Sequence, residues 1–554
     1  MRRDWIEGQV GRSLRSITLS LLAATVATST VAGQDEAPAP LRMLDFDAFE
    51  SAIEALADDR RTALDTIVLE ATIDELQAAM EIGELSSVEL TTYYLSRIHE
   101  LDVGGLQSMN ELNPDALAIA AALDEERRTG GVRGPLHGIP VSLKDNIGTG
   151  DALHTTAGAA ALSEARADRD STVAARLREA GAVLLGKANL TEWANFMNQP
   201  GRAGFSALGG QVANAYGANL TPSGSSAGSA VGTSANLVAA SIGTETAGSI
   251  VAPAAANGVV GLKPSLGLVS RDRIIPITDQ IDSPGTLART VADAATLLSV
   301  IAGEDPADPF TTDAAEAVGA AGLAEADFTS FLDHHALQGK RVGYYTGGPT
   351  PPEGMTEADY IELVGMTEAI AGLEAAGAEV SLVWAELLSN DEDFLSLGLV
   401  GLRDGVAAYL AATDPDGPIG SITDVVDFNA ADLGRYAPFG QNMLEAAAGL
   451  PEVSREEYDA AGSELREKAR EHVDALFAEH ELDVLITSGN RLSGAYAVAG
   501  YPAITVPAGF GSDGNPRGLT FTGRYLEDGA IIGYAYAFEQ AAGLRQPPPS
   551  VARD

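Results

Sequence analysis

Between Thr72 and Ile98 the apolar positions recur at helical spacing. Thr72 with Glu75, and Ser86 with Glu89, form two capping boxes, in which a hydroxyl accepts from the amide three residues on and a carboxylate reaches back. The first predicts a helix through Leu76-Gln77-Ala78-Ala79-Met80, stopped by Gly83; the second predicts one through Leu90, Tyr94, Leu95 and Ile98. From Gly131 the texture changes. Short apolar runs at Ile139-Pro140-Val141, 182–185 and 258–262 alternate with helical stretches and Gly-rich turns. Asp170 is placed to cap a helix through Leu177, and Gly181 to end it before a strand at 183–185. This alternation predicts an α/β fold. From about Gly303 to His480 the chain is more helical and more acidic, with short strands at 341–345 and 378–384, and reads as helical cover and substrate wall. Strands return at 484–486 and 503–506, and Gln546-Pro547-Pro548-Pro549 ends the fold. No internal repeat is present.

Composition narrows the chemistry. With 45% hydrophobic but only 6% aromatic residues, the core must be mostly aliphatic. A formal net charge of −43 is unsuited to nucleic acid, because phosphate binding needs a basic surface. With no cysteine there are no disulfides, thiol nucleophiles or thiolate metal sites. The histidines show no metal spacing, so no metal or cofactor is expected. Lysine is scarce, at Lys144, Lys187, Lys263, Lys340 and Lys468, so a lysine inside an apolar stretch stands out.

At the N-terminus Arg2, Arg3, Arg12 and Arg15 precede an uncharged apolar run from 17 to 32 that ends in small residues. This is the pattern of a signal peptide over 1–33, cleaved near Ala32 or Gly33, and it predicts export to a periplasm or the exterior. No later run reads as long enough to span a bilayer, so no membrane association is expected after cleavage.

Two segments carry candidate chemistry. Residues 221–264 hold two Gly/Ser clusters, Gly224-Ser225-Ser226-Ala227-Gly228 and Thr244-Glu245-Thr246-Ala247-Gly248-Ser249, joined by a stretch of helix length. Small residues let backbone N–H groups converge on a point, as an oxyanion site requires. The same pattern also fits a Gly/Ser-rich turn in a tightly packed fold. The second segment, 138–146, puts Lys144 at the end of an apolar strand, where burial would favour the neutral, basic amine; a surface pair with Asp145 is the commoner fate of such a lysine. Residues 224–228 also fit the G-x-S-x-G elbow, but the polar 214–223 stretch lacks the required strand and the later histidines read as surface residues. Gly181 to Lys187 fits a phosphate-loop spacing only superficially, since 182–185 reads as a strand and Ala188 replaces the required hydroxyl.

Together these residues resemble the amidase signature family. Its hallmarks are a strand ending in lysine, a Gly-Ser-Ser-Gly-like cluster and a second serine about two dozen residues later; here Lys144, Ser225 and Ser249 match, Ser249 lying 24 positions after Ser225. The likeness runs from about 73 to 543 and includes Gly134-Pro135-Leu136-His137-Gly138-Ile139-Pro140, Asp282-Ser283-Pro284-Gly285 with Arg289, and Gly500-Tyr501-Pro502-Ala503. The resemblance implies an α/β/α fold with a central mixed sheet flanked by helices. It implies Ser249 as nucleophile, Ser225 after a cis peptide bond as proton relay, and neutral Lys144 as base. Ser226 would support the pair, and the backbone N–H groups of Thr246, Ala247, Gly248 and Ser249 would form the oxyanion hole. Asn110-Glu111-Leu112-Asn113, Glu192-Trp193-Ala194-Asn195-Phe196 and Gly243-Thr244-Glu245-Thr246 look like the bacterial peptide amidases, which remove C-terminal amides from peptides. The implied partner is a small-molecule or peptide amide. An aryl-acylamide or ester hydrolase is the alternative, and a catalytic subunit of a tRNA amidotransferase a more distant one. Ala247 departs from the usual glycine, which leaves an N–H donor in place if its φ is negative. The short 486–499 segment departs from relatives with a longer loop over the acyl pocket. The implied organisation is signal peptide 1–33, linker 34–42, one catalytic domain 43–548 (signature core 131–303, helical cover 304–480, C-terminal sheet portion 481–548) and tail 549–554.

Overall fold

The computed structural model describes residues 37–348, 350, 354–386 and 391–551. The signal-peptide segment, part of the 34–42 linker and part of the 549–554 tail lie outside the described residues.

Among the described residues, eleven strands build one mixed sheet. In chain order they are β1 (Met109–Leu112), β2 (Pro140–Lys144), β3 (Val183–Ala188), β6 (Ala240–Glu245), β7 (Val260–Lys263), β8 (Ser283–Ala288), β9 (Arg341–Tyr345), β10 (Glu379–Val383), β11 (Val484–Ser488), β12 (Ala503–Phe510) and β13 (Pro516–Thr522); β4 (Phe205–Ser206) and β5 (Gly210–Gln211) form a separate hairpin. The spatial order is β1-β3-β2-β6-β8-β7-β12-β13-β11-β9-β10. β2 runs parallel to both β3 and β6, while β8 is antiparallel to β6 and β7. Every residue of β2, β3 and β6 is buried, as expected of strands covered by helices on both faces.

Both capping boxes form, opening the Ile73–Glu81 and Ser87–Arg97 helices. Two further helices, Glu50–Ala55 and Asp58–Val68, precede them where the sequence reading placed none; neither has a side-chain cap to announce it. The helix between β2 and β3 spans Thr172–Glu179, and its cap is Ser171 rather than Asp170. Asp170 instead accepts from the Gly150 amide at 2.8 Å and pairs with Arg178 at 3.0 Å, a helix-end cation holding it away from the cap position. The stretch joining the two Gly/Ser clusters is not one helix. It is an eight-residue helix, Ala227–Ser234, followed by β6, and Asn236 with φ +54° makes the left-handed turn between them.

The 304–480 region does more than cover the sheet, because β9 and β10 extend its edge. Within its helix Asp391–Thr413, the stretch Glu392–Thr413 is long and apolar enough by length and composition to cross a membrane, which corrects the expectation that no later run is long enough. In the fold it is a core helix: Leu399, Leu402, Val406 and Leu410 pack in one apolar cluster with Trp193, Phe196, Ile275 and Ile277. Arg289, fully buried, donates to the carbonyls of Val238 (3.0 Å) and Ala71 (2.7 Å), tying the N-terminal helices to the sheet.

Candidate active site

The parallel pairing of β2 with β6 aligns Val141 with Ala240 and Leu143 with Ile242, so Lys144, the last residue of β2, and Thr244, the last but one of β6, arrive at the same end of the sheet. That end of parallel strands is where α/β folds place their chemistry. Lys144 is completely buried. Its Nζ lies 2.7 Å from Ser225 Oγ, 2.9 Å from Thr244 Oγ1 and 3.1 Å from the Thr244 carbonyl. Asp145 does not pair with it. That carboxylate turns away to Asn110 Nδ2 (2.8 Å) and the Thr156 hydroxyl. Burial pulls the Lys144 pKa down to about 7, against the opposing charges of Asp282 and Glu245.

Ser225 and Ser226 precede the Ala227–Ser234 helix, and the Gly224–Ser225 peptide is cis. The Ser225 carbonyl accepts from the Thr191 amide at 3.0 Å. Ser226 joins the two clusters: its amide donates to the Ser249 carbonyl at 3.0 Å, and its Oγ bonds the Thr244 carbonyl (3.2 Å) and amide (3.3 Å). Only glycine fits at 243, because a Cβ there would stand 2.8 Å from Ser226 Oγ.

After β6 the chain turns sharply through Thr246 to Ser249. Gly248 takes the left-handed φ of +90°, whereas Ala247 is not among the residues with positive φ, so alanine is accommodated without strain. The Glu245 carboxylate accepts from the amides of Ile250 (2.8 Å) and Val251 (3.1 Å), and Tyr496 donates to its other oxygen at 2.8 Å. The amides of Ala247, Gly248 and Ser249 have no hydrogen-bond partner among the described residues. Three unspent donors in one turn suit an anion that forms during reaction. Ser249 is half-buried, while Lys144 and Ser225 are fully buried.

The structure therefore brings Lys144, Ser225, Ser226 and the 246–249 turn into one cluster. It adds residues that the sequence reading quoted without a role, or did not single out. Thr244 holds Lys144, and Asn146 Nδ2 holds Thr244 Oγ1 at 3.1 Å. Glu245 and Tyr496 brace the turn. Thr246 Oγ1 donates to Asp282 at 2.6 Å. Asp282 stood in the quoted Asp-Ser-Pro-Gly motif, but nothing in that motif says which hydroxyl it would meet. In the short 486–499 segment, the Ser493–Ala499 helix and the turn before it place Ser493 and Asn490 against Gly248, where a Cβ would lie 2.8 Å from Asn490 Nδ2.

The profile of the family named Amidase matches residues 89–493. The chain belongs to the amidase signature family. This amidase is 38% identical to a probable amidase of Arabidopsis thaliana over 88% of its own length and 92% of the relative's. It is 32% identical to a glutamyl-tRNA(Gln) amidotransferase subunit of Synechococcus, over 87% and 98%. Among solved structures, the native peptide amidase of Stenotrophomonas maltophilia aligns with a TM-score of 0.79 at 42% identity, over 86% of this chain and 98% of that one. An amidase family protein of Bacillus anthracis aligns with a TM-score of 0.83 at 34% identity, over 90% and 96%. The amidase shares their mixed sheet with flanking helices, and it is a hydrolase of amide C–N bonds.

Proposed function

We propose that this amidase is an exported enzyme that hydrolyses carboxamides through an acyl-enzyme on Ser249, with peptide C-terminal amides as its substrates and carboxylate and ammonia as products. The observation that carries the mechanism is the buried Lys144 Nζ, 2.7 Å from Ser225 Oγ. Neutral Lys144 has two N–H bonds for the Thr244 oxygens and one lone pair, which accepts from the Ser225 hydroxyl. As Ser249 Oγ attacks the carbonyl carbon, its proton passes to Ser225 and Ser225's proton to Lys144. The carbonyl oxygen, now an anion, is met by the free amides of the 246–249 turn; losing one such donor typically costs about 10²–10³ in rate. Lys144 then returns the proton through Ser225 to the leaving nitrogen, and the C–N bond breaks. Water repeats the sequence on the acyl-enzyme and frees Ser249.

The peptide-amide reading is supported by the 42% identity to the Stenotrophomonas peptide amidase, and the export reading by the basic and apolar pattern of residues 1–33. The amidotransferase relatives support a second reading, in which released ammonia is passed to a partner rather than to solvent. Incubating the purified enzyme with a capped peptide amide separates them. Ammonia and free-acid peptide in equal amounts, without any partner and not with Ser249→Ala, support the first reading. No release under these conditions rejects the peptide-amide substrate.

A further inference from the structure

One carboxylate joins the nucleophile's turn to the wall of the neighbouring cavity. Asp282, partly buried just before β8, accepts from Thr246 Oγ1 at 2.6 Å through one oxygen and from the amides of Ile277 (2.8 Å) and Thr278 (2.9 Å) through the other. A cavity of about 320 Å³ lies against this junction, lined among others by Asn146, Thr244, Thr246, Ile277, Asp282 and Tyr409. Ile277 is packed in the apolar cluster with Trp193, Phe196, Leu399 and Leu402, so this wall is held by core packing. The free amides of Ala247 to Ser249 follow directly on Thr246, and any rotation of that residue re-aims all three.

We propose that Asp282 is a positioning residue that transfers the rigidity of the Ile277–Thr278 wall to the 246–249 turn through the Thr246 hydroxyl and so fixes the aim of the oxyanion donors. This rests on the reading of Ser249 as nucleophile. The tie is one short hydrogen bond to a charged acceptor, the stronger class of hydrogen bond. Misplacement of a preorganised site by a fraction of an ångström is enough to lose much of its rate.

Asp282 also acts on Lys144 through space. The charged groups acting on Lys144 are Asp282 and Glu245, and those acting on Asp282 include Arg271 on the adjoining loop, with Tyr458 on the Arg455–Glu479 helix near it. Removing the Asp282 charge makes protonated Lys144 less stable, so the acid limb of kcat/KM moves to lower pH. A loosened turn alone does not move that limb.

The test compares Thr246→Val, Thr246→Ser, Asp282→Asn and the Thr246→Val/Asp282→Asn double variant, beside Ser249→Ala, with a capped peptide amide. The expected result is a kcat lower by about tenfold or more for Thr246→Val and Asp282→Asn, with KM changed less than about threefold. Thr246→Ser, which keeps the hydroxyl, loses clearly less kcat than Thr246→Val, and the double variant falls no further than the worse single one. Asp282→Asn alone shifts the acid limb to lower pH. Wild-type kcat in Thr246→Val, equal losses in the serine and valine variants, or multiplying losses in the double variant would overturn the proposal. If Asp282→Asn does not fold, the valine and serine pair decides. Full turnover by Ser249→Ala removes the nucleophile reading, and this proposal with it, whereas its loss beside an active Thr246→Val rejects only the proposal.

Discussion

Lys144 and Lys187 stand on adjacent parallel strands, are both completely buried, and meet different company. Lys187 Nζ donates to the Ile147 carbonyl at 2.5 Å and to Thr155 Oγ1 at 2.9 Å, with the Asp145 charge nearby. Lys144 has the two Thr244 oxygens and, in addition, the Ser225 hydroxyl at the edge of the Gly/Ser cluster. Lys263 offers a third case, with its Nζ bonded to the carbonyls of Pro264 (2.9 Å) and Tyr501 (3.0 Å) and its pKa lowered to about 8 by burial. Burial lowers the pKa of all three lysines, yet only Lys144 faces a serine of the Gly/Ser cluster that is bonded to the 246–249 turn. Desolvation makes a lysine basic in principle; a proton donor next to it, connected to a reactive carbon, gives that basicity a use. Lys187 and Lys263 staple loops to strand ends.

Replacing the two lysines should therefore have opposite consequences. Lys144→Ala is expected to lower kcat/KM by about 10³ or more, since the proton path loses its acceptor, a loss on the scale of removing one member of a catalytic triad. Steady-state rates at constant fold, checked by circular dichroism, measure it. The pH profile is the next discriminator. Lys144 must be neutral to act as base, and its pKa is about 7, so kcat/KM of the wild type should fall about tenfold per unit below that point and level off above it. A limb that survives in Lys144→Ala would assign it to another group. The smallest effect is on Lys187→Met. Here the rate and its acid limb should be those of the wild type, while stability falls by about 1–3 kcal/mol, because the Ile147 carbonyl and the Thr155 hydroxyl lose their donor and Asp145 loses the nearby positive charge. A denaturant melt beside a rate assay checks both halves of that expectation.

The α/β texture, both N-terminal capping boxes and the strand that ends in Lys144 were legible in the sequence, because each depends on neighbours within a few residues: a hydroxyl and a carboxylate three apart, or an unbroken apolar run. The resemblance to the amidase signature family also singled out residues that the fold gathers, Lys144, Ser225, Ser226 and the 246–249 turn. What local pattern did not give are the relations between distant segments. Ser171 and Asp170 are equally good caps on paper, and Arg178 and the Gly150 amide decide between them by engaging Asp170. The break between the Ala227–Ser234 helix and β6 lies in a run of small apolar residues that suits either state, and pairing with β2 and β8 draws its second half into the sheet. The apolar Asp391–Thr413 helix is explained only by the Trp193 and Ile275 side chains it covers. Tyr496 reaches Glu245 across 251 positions of sequence, and no spacing rule connects them.

The most direct test of the central claim is the site of acylation. An activated ester of a capped peptide is mixed with the enzyme, quenched in acid during turnover and mapped by mass spectrometry after digestion. The account predicts the acyl mass on the peptide that contains Ser249, absent in Ser249→Ala and accumulating with the burst of released alcohol. An acyl group on Ser225 or Ser226, or a burst with no acylated peptide, would contradict it.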